Sequence, residues 1–516
     1  MTERPAPGRV GRRQRQAVTE AASALPIPAY RRLSNPFAPI TLLSDDQVEA
    51  IHESALHILQ EIGLRVLLPE ARTLLDRAGA AVNESSHMVR FGRDLIGRHL
   101  ATAPRRIDLL GGSPGRTVEI GGRNLAVAAV GGPPNVSDIE RGRRPGTLAD
   151  FRDFVRLSQT FDVVHLLGPS VEPLEVAPAE RHLQITHSQL TLSNKPPFVY
   201  ARGSPQVADC FAMIRLARGL DQETFAATPC CFAVINTNSP LQLDKPMSQG
   251  IIDFARAGQL TIVTPFTLAG AMAPISLAGA LVQQHAEAIA GIVLSQVVRP
   301  GAPVLYGGFT SNVDMRSGAP AFGTPEFVKA AWASGQLARR IGLPWRSSNV
   351  NASNAPDAQS AYESEMSLWG AIMAGCNVLA HGAGWLEGGL TASFEKFIID
   401  VEMLQMFAEL FRPLPFSPAE LARETIAAVG PGGHHFGTEH TLERYRTAFY
   451  EPLLSDWSNY GRWTERGSLD ATRRANLIYK ETLRTFEPPS MDPAARERID
   501  AYRDQRAGQG GALPES

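Results

Sequence analysis

Eight short apolar runs recur between residues 125 and 384, and helical patterns separate most of them. Strands that are apolar along their whole length are typical of a parallel sheet buried on both faces. Eight such strands alternating with helices predict an α/β fold, a (β/α)8 barrel over residues 120–410. A doubly wound open sheet is the alternative, but no GxGxxG fingerprint follows any run, which disfavours dinucleotide binding. The runs span residues 125–132, 163–170, 198–203, 231–236, 261–266, 304–309, 344–349 and 377–384.

Helix signals begin well before the first of these runs. Ser44 and Gln47 have the spacing of a capping box, an apolar 3–4 pattern follows as far as Gly63, and Pro69 is expected to start a second helix. Similar signals at Thr324-Pro325, Pro356 and Ser393 predict further helices between or after the strands. The predicted parts outside the barrel are a flexible basic tail over 1–33, a helical N-terminal segment over 34–119, a C-terminal extension packed on the barrel over 411–505 and a disordered tail over 506–516.

Charge and cysteine content exclude several classes of protein. The formal net charge of −2 over 516 residues gives no reason to expect nucleic acid or an anionic membrane as a partner. Four cysteines without a CxxC pair exclude a disulfide framework and a zinc ribbon, so we expect reduced thiols in the cytoplasm. Residues 257–286 carry no charge and are long enough to span a bilayer, but their prolines and glycines favour a strand, a loop and a buried helix from Leu277. No membrane attachment is predicted.

In a (β/α)8 barrel the functional side chains follow the carboxyl ends of the strands. The candidate set selected by this rule is rich in aromatic and amide groups and poor in carboxylates, unlike the paired acids of a glycosidase. Aromatic faces attract cations, so the set favours a quaternary ammonium ligand. We predict neither a catalytic nucleophile nor a metal among these residues. The candidate substrate-binding residues are Arg202, Phe266, Tyr306, Phe309, Trp345, Arg346, Asn349, Asn351, His381 and Trp385.

One histidine-rich motif lies outside the strand series. In GPGGHHFGTEHT (430–441), His435, Glu439 and His440 are side chains of the kind that bind zinc. Because the motif is rich in glycine and follows the barrel, we interpret it as a structural or substrate-access loop. A metal-dependent barrel hydrolase that uses these three residues remains an alternative.

Long motifs in this sequence resemble a known family, and the similarity extends over about residues 35–505. The motifs are NVSDIERGRRPGTLADFRDFVRL (135–157), GALVQQHAEAIAGIVLSQVVRPGAPVLYGGFTSNVDMRSG (279–318), PDAQSAYES (356–364), AGCNVLAHGAGWLEGGLTASFEKFIIDVEML (374–404) and NYGRWTERGSLDATRRANLIYKETL (459–483). They are similar to the trimethylamine methyltransferase family, corrinoid-dependent enzymes that include glycine betaine methyltransferases.

The resemblance implies a TIM barrel that moves a methyl group from a methylated amine to the Co(I) of a corrinoid carried by a separate small protein. It implies no cofactor bound by this chain itself. Trimethylamine enzymes of the family carry pyrrolysine, and this sequence shows no such residue. The motif places the equivalent position within Asn349–Asn354, with Asn354 as the candidate. A member without pyrrolysine is expected to act on a quaternary amine such as glycine betaine, proline betaine or carnitine.

For such a substrate, the chemistry of the candidate residues suggests their roles. The aromatic side chains would enclose the trimethylammonium group, and Arg202, Arg346 or His381 would bind a substrate carboxylate. Arg141, Arg143 and Arg144 are candidate contacts for the corrinoid protein, and an assembly of identical chains is compatible with this prediction. The alternatives are a family member with another substrate and a non-catalytic betaine-binding homologue.

Overall fold

A computed structural model describes residues 28–515 and shows a mixed α/β fold. The described helices, in chain order, are α1 (Asp45–His57), α2 (Pro69–Ala78), α3 (Arg93–Leu100), α4 (Leu148–Thr160), α5 (Pro178–Leu192), α6 (Ser204–Arg218), α7 (Gln222–Ala227), α8 (Lys245–Arg256), α9 (Leu277–Val298), α10 (Pro325–Arg340), α11 (Ala358–Met373), α12 (Phe394–Leu410), α13 (Arg423–Val429), α14 (Glu439–Arg444), α15 (Tyr460–Glu465), α16 (Ala471–Arg484) and α17 (Pro493–Gly508).

Most of the strands are short, and several form small sheets at the periphery. The described strands are β1 (Leu33–Ser34), β2 (Leu64–Val66), β3 (Ala81–Asn83), β4 (Met88–Arg90), β5 (Ile107–Leu109), β6 (Val118–Ile120), β7 (Asn124–Val127), β8 (Asn135–Asp138), β9 (Gly142–Pro145), β10 (Phe232–Ile235), β11 (Gln242–Leu243), β12 (Leu260–Val263), β13 (Leu268–Ala269), β14 (Val304–Gly307), β15 (Ser311–Val313), β16 (Pro320–Ala321), β17 (Trp345–Ser348), β18 (Val378–Ala380), β19 (Trp385–Leu386) and β20 (Thr391–Ser393).

The central sheet has the order β1-β7-β18-β17-β14-β12-β10. Its six strands other than β1 are all parallel to one another. Four consecutive strand–helix–strand connections build it, through α8, α9, α10 and α11. The predicted α/β class with parallel strands is therefore confirmed. The carboxyl ends of these strands lie at one edge of the sheet, where their side chains and following loops meet.

Two predicted strands differ from the structure. Residues 163–170 and 198–203 contribute only single parallel bridges, Ala128 to Leu166 and Phe198 to Phe232. The amide of Leu167 donates to the carbonyl of Pro196 over 3.1 Å, which joins the two segments to each other. Proline has no N–H to donate, and Pro169, Pro196 and Pro197 stop either segment from extending its ladder.

The inner face of the sheet carries its own apolar cluster. Alternate strand residues such as Ala126, Leu260, Ile262 and Val378 pack together there. The hairpin β5–β6 inserts Ile107 and neighbouring side chains into the same cluster. The backbone of this hairpin region is hydrogen-bonded just before β10, so it covers the amino ends of the strands and leaves the carboxyl ends accessible.

The N-terminal part differs from the helical segment predicted over 34–119. The capping box at Ser44 and the start of α2 at Pro69 are confirmed. However, β2, β3 and β4 form a sheet with β11 between these helices. These strands are only three residues long, too short to show a clear alternation of apolar and polar residues. Helix signals therefore dominated the sequence pattern.

Parts of both predicted tails are ordered in the described residues. Residues 1–27 lie outside the described residues, whereas Tyr30 and Leu33 are buried and β1 pairs with β7. At the other end the predicted disordered tail differs from the structure, because α17 continues to Gly508 and the amide of Ala512 donates to the carbonyl of Ala179 over 2.8 Å. Charge pairing between Arg506 and Asp209 fixes this end against α6.

Among the described residues, α9 is the helix long and apolar enough to cross a membrane. In its most apolar window 78% of the residues are buried inside the fold. The helix lies against the sheet and contacts α1, α3, α8 and α10. This helix is therefore part of the core of the fold, as we predicted from the prolines that precede Leu277.

Candidate active site

Aromatic and basic side chains meet at the carboxyl end of the central sheet. Phe266 follows β12, Phe309 follows β14 and His381 directly follows β18, while Trp385 begins β19. Arg346 is the second residue of β17. Because these strands are neighbours and parallel, the five side chains converge although they are far apart in sequence.

The aromatic rings form one continuous cluster. The Phe309 ring lies 5.2 Å from Phe266, 5.4 Å from Phe322 and 6.2 Å from Trp385, measured between centroids. The His381 ring lies 4.2 Å from that of Trp385. Phe322 was absent from the sequence prediction because it follows the short strand β16 and not a strand of the central sheet. The cluster brings together aromatic rings of the kind that attract a cation.

Arg346 is buried beside this cluster, at 2% exposure. Its Nη2 donates to Nε2 of His381 over 2.9 Å, and its guanidinium carbon lies 5.2 Å from the Phe309 ring centroid. Within residues 28–515 neither Nε nor Nη1 of Arg346 has a hydrogen-bond partner. Burial lowers the pKa of Arg346 to about 9, so the group remains charged at neutral pH. A buried cation with two unused donors is costly unless an anion pairs with it.

His381 provides a further donor at this site. A guanidinium only donates, so Nε2 of His381 accepts and the neutral ring carries its proton on Nδ1. Nδ1 has no partner among the described residues. Burial, and then the charge of Arg346, hold the pKa of His381 well below its usual value. The imidazole is thus a neutral donor.

The backbone around His381 is unusually constrained. His381 has φ of +56°, in the left-handed region that non-glycine residues seldom adopt. Gly131 lies against its ring, and a Cβ at Gly131 would stand 2.4 Å from Cε1 of His381. Only glycine at position 131 leaves the imidazole where it is.

Asn349 and Asn351 are fully buried and hold the loop that carries His381 and Trp385. Nδ2 of Asn349 donates to the carbonyl of Gly382 over 3.1 Å. Nδ2 of Asn351 donates to the carbonyl of Trp385 over 2.7 Å, and the indole N–H returns a bond to the carbonyl of Asn351. Both Oδ1 atoms lack a partner within the described part of the chain. The structure therefore gives these amides a positioning role.

A buried ion pair lies next to the amides. Lys396 and Asp400, one turn apart on α12, are in direct contact and fully buried. Asp400 also accepts from Nδ2 of Asn349 over 3.0 Å and from the amide of Gly384 over 2.8 Å. Burial lowers the pKa of Lys396 and raises that of Asp400, and their mutual attraction opposes both shifts. The sequence prediction missed this pair because both residues lie within a helix.

Tyr306 and Trp345 are not part of the cluster, which corrects the prediction that they line the ligand site. The two residues are register partners on β14 and β17 and face the helical layer. The Tyr306 hydroxyl bonds Gln284 and His285 of α9 at 3.1 Å each. Trp345 begins β17 at the amino end of the sheet, where it lines a cavity of about 400 Å³. Side chains alternate along a strand, so Arg346 faces inward and Trp345 does not.

Arg202 is also separate from the cluster in the structure. Its guanidinium pairs with Glu172 at 2.7 Å and lies 4.2 Å from the ring centroid of Tyr200. Glu172 is shared with Arg181. Because the charge of Arg202 is already compensated within the chain, Arg346 is the better candidate for an anionic ligand.

The three arginines expected at the rim lie on or next to the hairpin β8–β9 and are paired within the chain. Arg141 and Arg144 contact Asp138 at 2.8 and 2.9 Å. Arg143 contacts Glu387 at 2.7 Å. Their pairing stabilises the hairpin against the loop after β19.

The alternative metal site is not formed. In the part of the chain that the structure describes, no group of three or more His, Cys, Asp and Glu side chains is arranged to hold a metal ion. His435, Glu439 and His440 lie on a segment without buried residues. The arrangement of these three residues therefore gives no support to the alternative of a metal-dependent hydrolase.

Comparison with known proteins agrees with the motifs. The family model described as trimethylamine methyltransferase matches residues 8–511, nearly the entire chain. The chain belongs to the trimethylamine methyltransferase family.

Members of the trimethylamine methyltransferase family from bacteria and archaea are similar to this chain over most of its length. The glycine betaine methyltransferase of Desulfitobacterium hafniense strain Y51 is 34% identical, over 90% of this chain and 97% of that protein. The trimethylamine methyltransferase MttB of D. hafniense strain DSM 10664 / DCB-2 is 28% identical, over 87% and 90%. MttB of Methanosarcina barkeri is 28% identical, over 91% and 94%. The predicted membership and the prediction that the chain is a methyltransferase are confirmed.

A solved structure supports the fold of this family member. The crystal structure of the Methanosarcina barkeri monomethylamine methyltransferase aligns with a TM-score of 0.50 over 95% of this chain and 92% of that chain. The identity between the two is 10%, so the likeness concerns the fold alone.

Proposed function

We propose that this member of the family transfers a methyl group from a carboxylate-bearing quaternary amine, of the glycine betaine type, to the Co(I) corrinoid of a separate protein. The observation that carries the proposal is Arg346, a buried cation that lies beside a cluster of aromatic rings and has two donors without a partner among residues 28–515. A betaine combines the two groups that such a site complements, a carboxylate and a quaternary ammonium. The similarity to a glycine betaine methyltransferase supports the same substrate class.

The reaction requires the protein mainly to position the substrate. A quaternary ammonium breaks its C–N bond with the bonding electrons retained by nitrogen, so the leaving group is a neutral tertiary amine. The corrinoid of the partner supplies the electron pair that accepts the methyl group. This chain holds one N–CH₃ group in line with the approaching nucleophile and excludes water. No side-chain nucleophile is needed, in agreement with the carboxylate-poor cluster.

Charge explains how the site would select betaines over other methylated amines. The positive charge of Arg346 repels a cation that has no carboxylate, such as choline or protonated trimethylamine. A betaine offsets this repulsion by placing its carboxylate on the donors of Arg346 and His381, while its ammonium group lies against the rings of Phe309 and Trp385. Selection therefore combines attraction for one ligand with repulsion of its competitors.

We further propose that the six parallel strands of the central sheet, together with the segments 163–170 and 198–203, close into a (β/α)8 barrel. The bridges at Ala128–Leu166 and Phe198–Phe232, with the bond from Leu167 to Pro196, support a ring that returns to β7. In such a barrel the cluster lies at the mouth, where the corrinoid protein must approach. Four buried free cysteines are consistent with the reducing cytoplasm as the site of action.

Calorimetric titration tests the substrate class. Purified protein is titrated with glycine betaine, proline betaine, carnitine, choline and trimethylamine, and the proposal expects binding of one or more betaines and none of choline or trimethylamine. Parallel assays with reduced corrinoid separate an enzyme from a betaine-binding homologue, which would bind without forming the demethylated amine. Binding of trimethylamine without any response to the betaines would contradict the proposal.

A further inference from the structure

The segment that follows α12 packs poorly against its own chain. Within the described part of the protein, residues 412–452 form a stretch in which no residue is buried. The segment, called the arm below, nevertheless exposes Leu414, Phe416, Phe436 and Phe449 to 80% or more. Its helices α13 and α14 have seven and six residues, too few to be stable without tertiary packing. The arm needs a surface to cover it.

A second exposed apolar surface lies on the helices before the arm. Tyr362, Met366 and Trp369 form a stripe on α11 at spacings of four and three, and they are 60%, 43% and 37% exposed. Met406 and Leu410 extend the stripe on α12, at 52% and 48% exposure. The helices are neighbours, since the rings of Trp369 and Phe407 lie 4.8 Å apart. These five exposed residues are called the α11–α12 face.

We propose that the arm covers the α11–α12 face of a second copy of this chain, and that the second copy covers the first in the same way. Both complementary surfaces occur on one chain, and a reciprocal two-fold contact covers both of them on each copy. The arm itself begins directly after α12 but leaves the face of its own chain exposed. This proposal does not rest on the substrate proposed above.

The charge of the arm favours an identical chain over an oppositely charged partner. The arm carries four arginines and five glutamates over residues 412–452, so its charges nearly cancel. Arg444 already contacts Glu420 at 3.3 Å and Glu443 at 2.7 Å. Because the net charge of the arm is close to zero, apolar contact is its main source of affinity. Mainly apolar interfaces are typical of permanent homodimers.

The exposed area also suits a stable pair. The arm exposes eight large apolar side chains and the α11–α12 face exposes five more. With about 100 Å² exposed on each, roughly half the area of an aromatic side chain, two reciprocal contacts bury about 2,600 Å². This value lies within the range of permanent homodimers. Left uncovered in a free chain, the same surfaces would promote aggregation. The proposal assigns the histidine-rich motif at 430–441 to this interface.

Sedimentation velocity and cross-linking test the pair. We expect wild-type protein to sediment at twice the chain mass of 55.8 kDa or as a larger assembly of such pairs. The variant Phe416→Ser/Phe436→Ser/Phe449→Ser should sediment as single chains with an unchanged circular dichroism spectrum. The matched control Ile62→Ser/Leu513→Ser alters residues that are 52% and 74% exposed and lie outside both surfaces, so it should keep the wild-type mass.

Cross-linking tests the contact without weakening it. All four native cysteines are buried, so Met366→Cys in one preparation and Phe436→Cys in another introduce the accessible thiols. After the two preparations are mixed and exchanged, a short bis-maleimide should join position 366 of one chain to position 436 of another. The proposal would be overturned if the wild-type protein sedimented as a single chain, or if the triple arm variant kept the mass of the wild-type assembly. It would also be overturned if cross-linking never joined positions 366 and 436 between chains.

Discussion

Arg346 and His381 decide the chemistry of the site at the scale of single residues. The guanidinium is buried with two unused donors, and the imidazole is held neutral with its proton on Nδ1. Sequence position alone selected both residues, although Arg346 lies within β17 and only its side chain reaches His381. It also selected Trp345 and Tyr306, because a run of apolar residues does not show which side chains face inward; strand pairing sets that.

The first prediction concerns Arg346→Ala. Loss of a charge-assisted contact to a carboxylate costs about 1.5–3 kcal/mol, so glycine betaine should bind about 10- to 150-fold more weakly. Choline should bind better than to wild type, because the repelling charge is gone. The matched control is Arg202→Ala, whose guanidinium is paired with Glu172 and should leave both affinities nearly unchanged. Equal effects of the two variants on betaine binding would count against the assigned role.

The second prediction is a pH profile. Because the pKa of His381 lies well below its usual value, it should not titrate between about pH 6 and 8, and betaine affinity should be flat there. As pH rises through about 9, Arg346 begins to lose its proton and betaine affinity should fall, whereas choline affinity should rise. Calorimetry across this range provides the test. A step in affinity near pH 6.5 would mean that a histidine titrates at the site.

The third prediction uses the space around His381. Gly131→Ala places a methyl group 2.4 Å from the imidazole, so the ring must move. Overpacking costs about 1–3 kcal/mol, and if the ring moves to relieve it, betaine affinity should fall by about fivefold or more. Gly97→Ala is the control, since its Cβ meets nothing within 4 Å and its φ is ordinary. Unchanged affinity in Gly131→Ala would show that the position of the imidazole is unimportant.

At the scale of elements, α12 and the loop after β18 form one unit. Asp400 of α12, which is paired with Lys396, accepts hydrogen bonds from Asn349 and from the amide of Gly384 and so fixes the loop that carries His381. The helix start at Ser393 was predictable, because a cap acts on the local backbone. The buried pair was not, because its partners come from elements that only the fold brings together.

The fourth prediction concerns this pair. Asp400→Asn leaves Lys396 buried without its counter-charge, and breaking one partner of a buried pair costs about 3–5 kcal/mol. The midpoint of thermal unfolding should therefore fall markedly, and betaine affinity should fall with it. The double variant Lys396→Met/Asp400→Leu removes both charges and should recover most of the lost midpoint. A double variant less stable than Asp400→Asn would contradict this account of the pair.

At the scale of the molecule, the parallel order of the central sheet followed from the repeated apolar runs, because local strand and helix signals alternate regularly along the chain. The proposed connection of its two edges rests on single bridges next to prolines such as Pro169 and Pro196, and these segments carry weak strand signals. The exposure of the arm was likewise invisible in the sequence. Its apolar content resembles that of a packed segment, and only the structure shows that its own chain does not bury it.

The fifth prediction is a pattern of hydrogen exchange. The amides of α9, which is mostly buried, should exchange slowest in every form of the protein. The arm and α11 should be protected in wild type and lose protection together in the triple arm variant, while α9 remains unchanged. If the arm stayed protected in a form that sediments as single chains, its protection would not come from contact with a second copy.

The central claim is that the chain transfers a methyl group from a carboxylate-bearing quaternary amine to a corrinoid. The most direct measurement is the demethylated amine formed when purified protein is incubated with a reduced corrinoid and either glycine betaine, proline betaine, carnitine, choline or trimethylamine. The account predicts product from at least one betaine, dependence on the corrinoid, a strong loss in Arg346→Ala, and none from choline or trimethylamine. Product from trimethylamine alone, or product formed without any corrinoid, would contradict it.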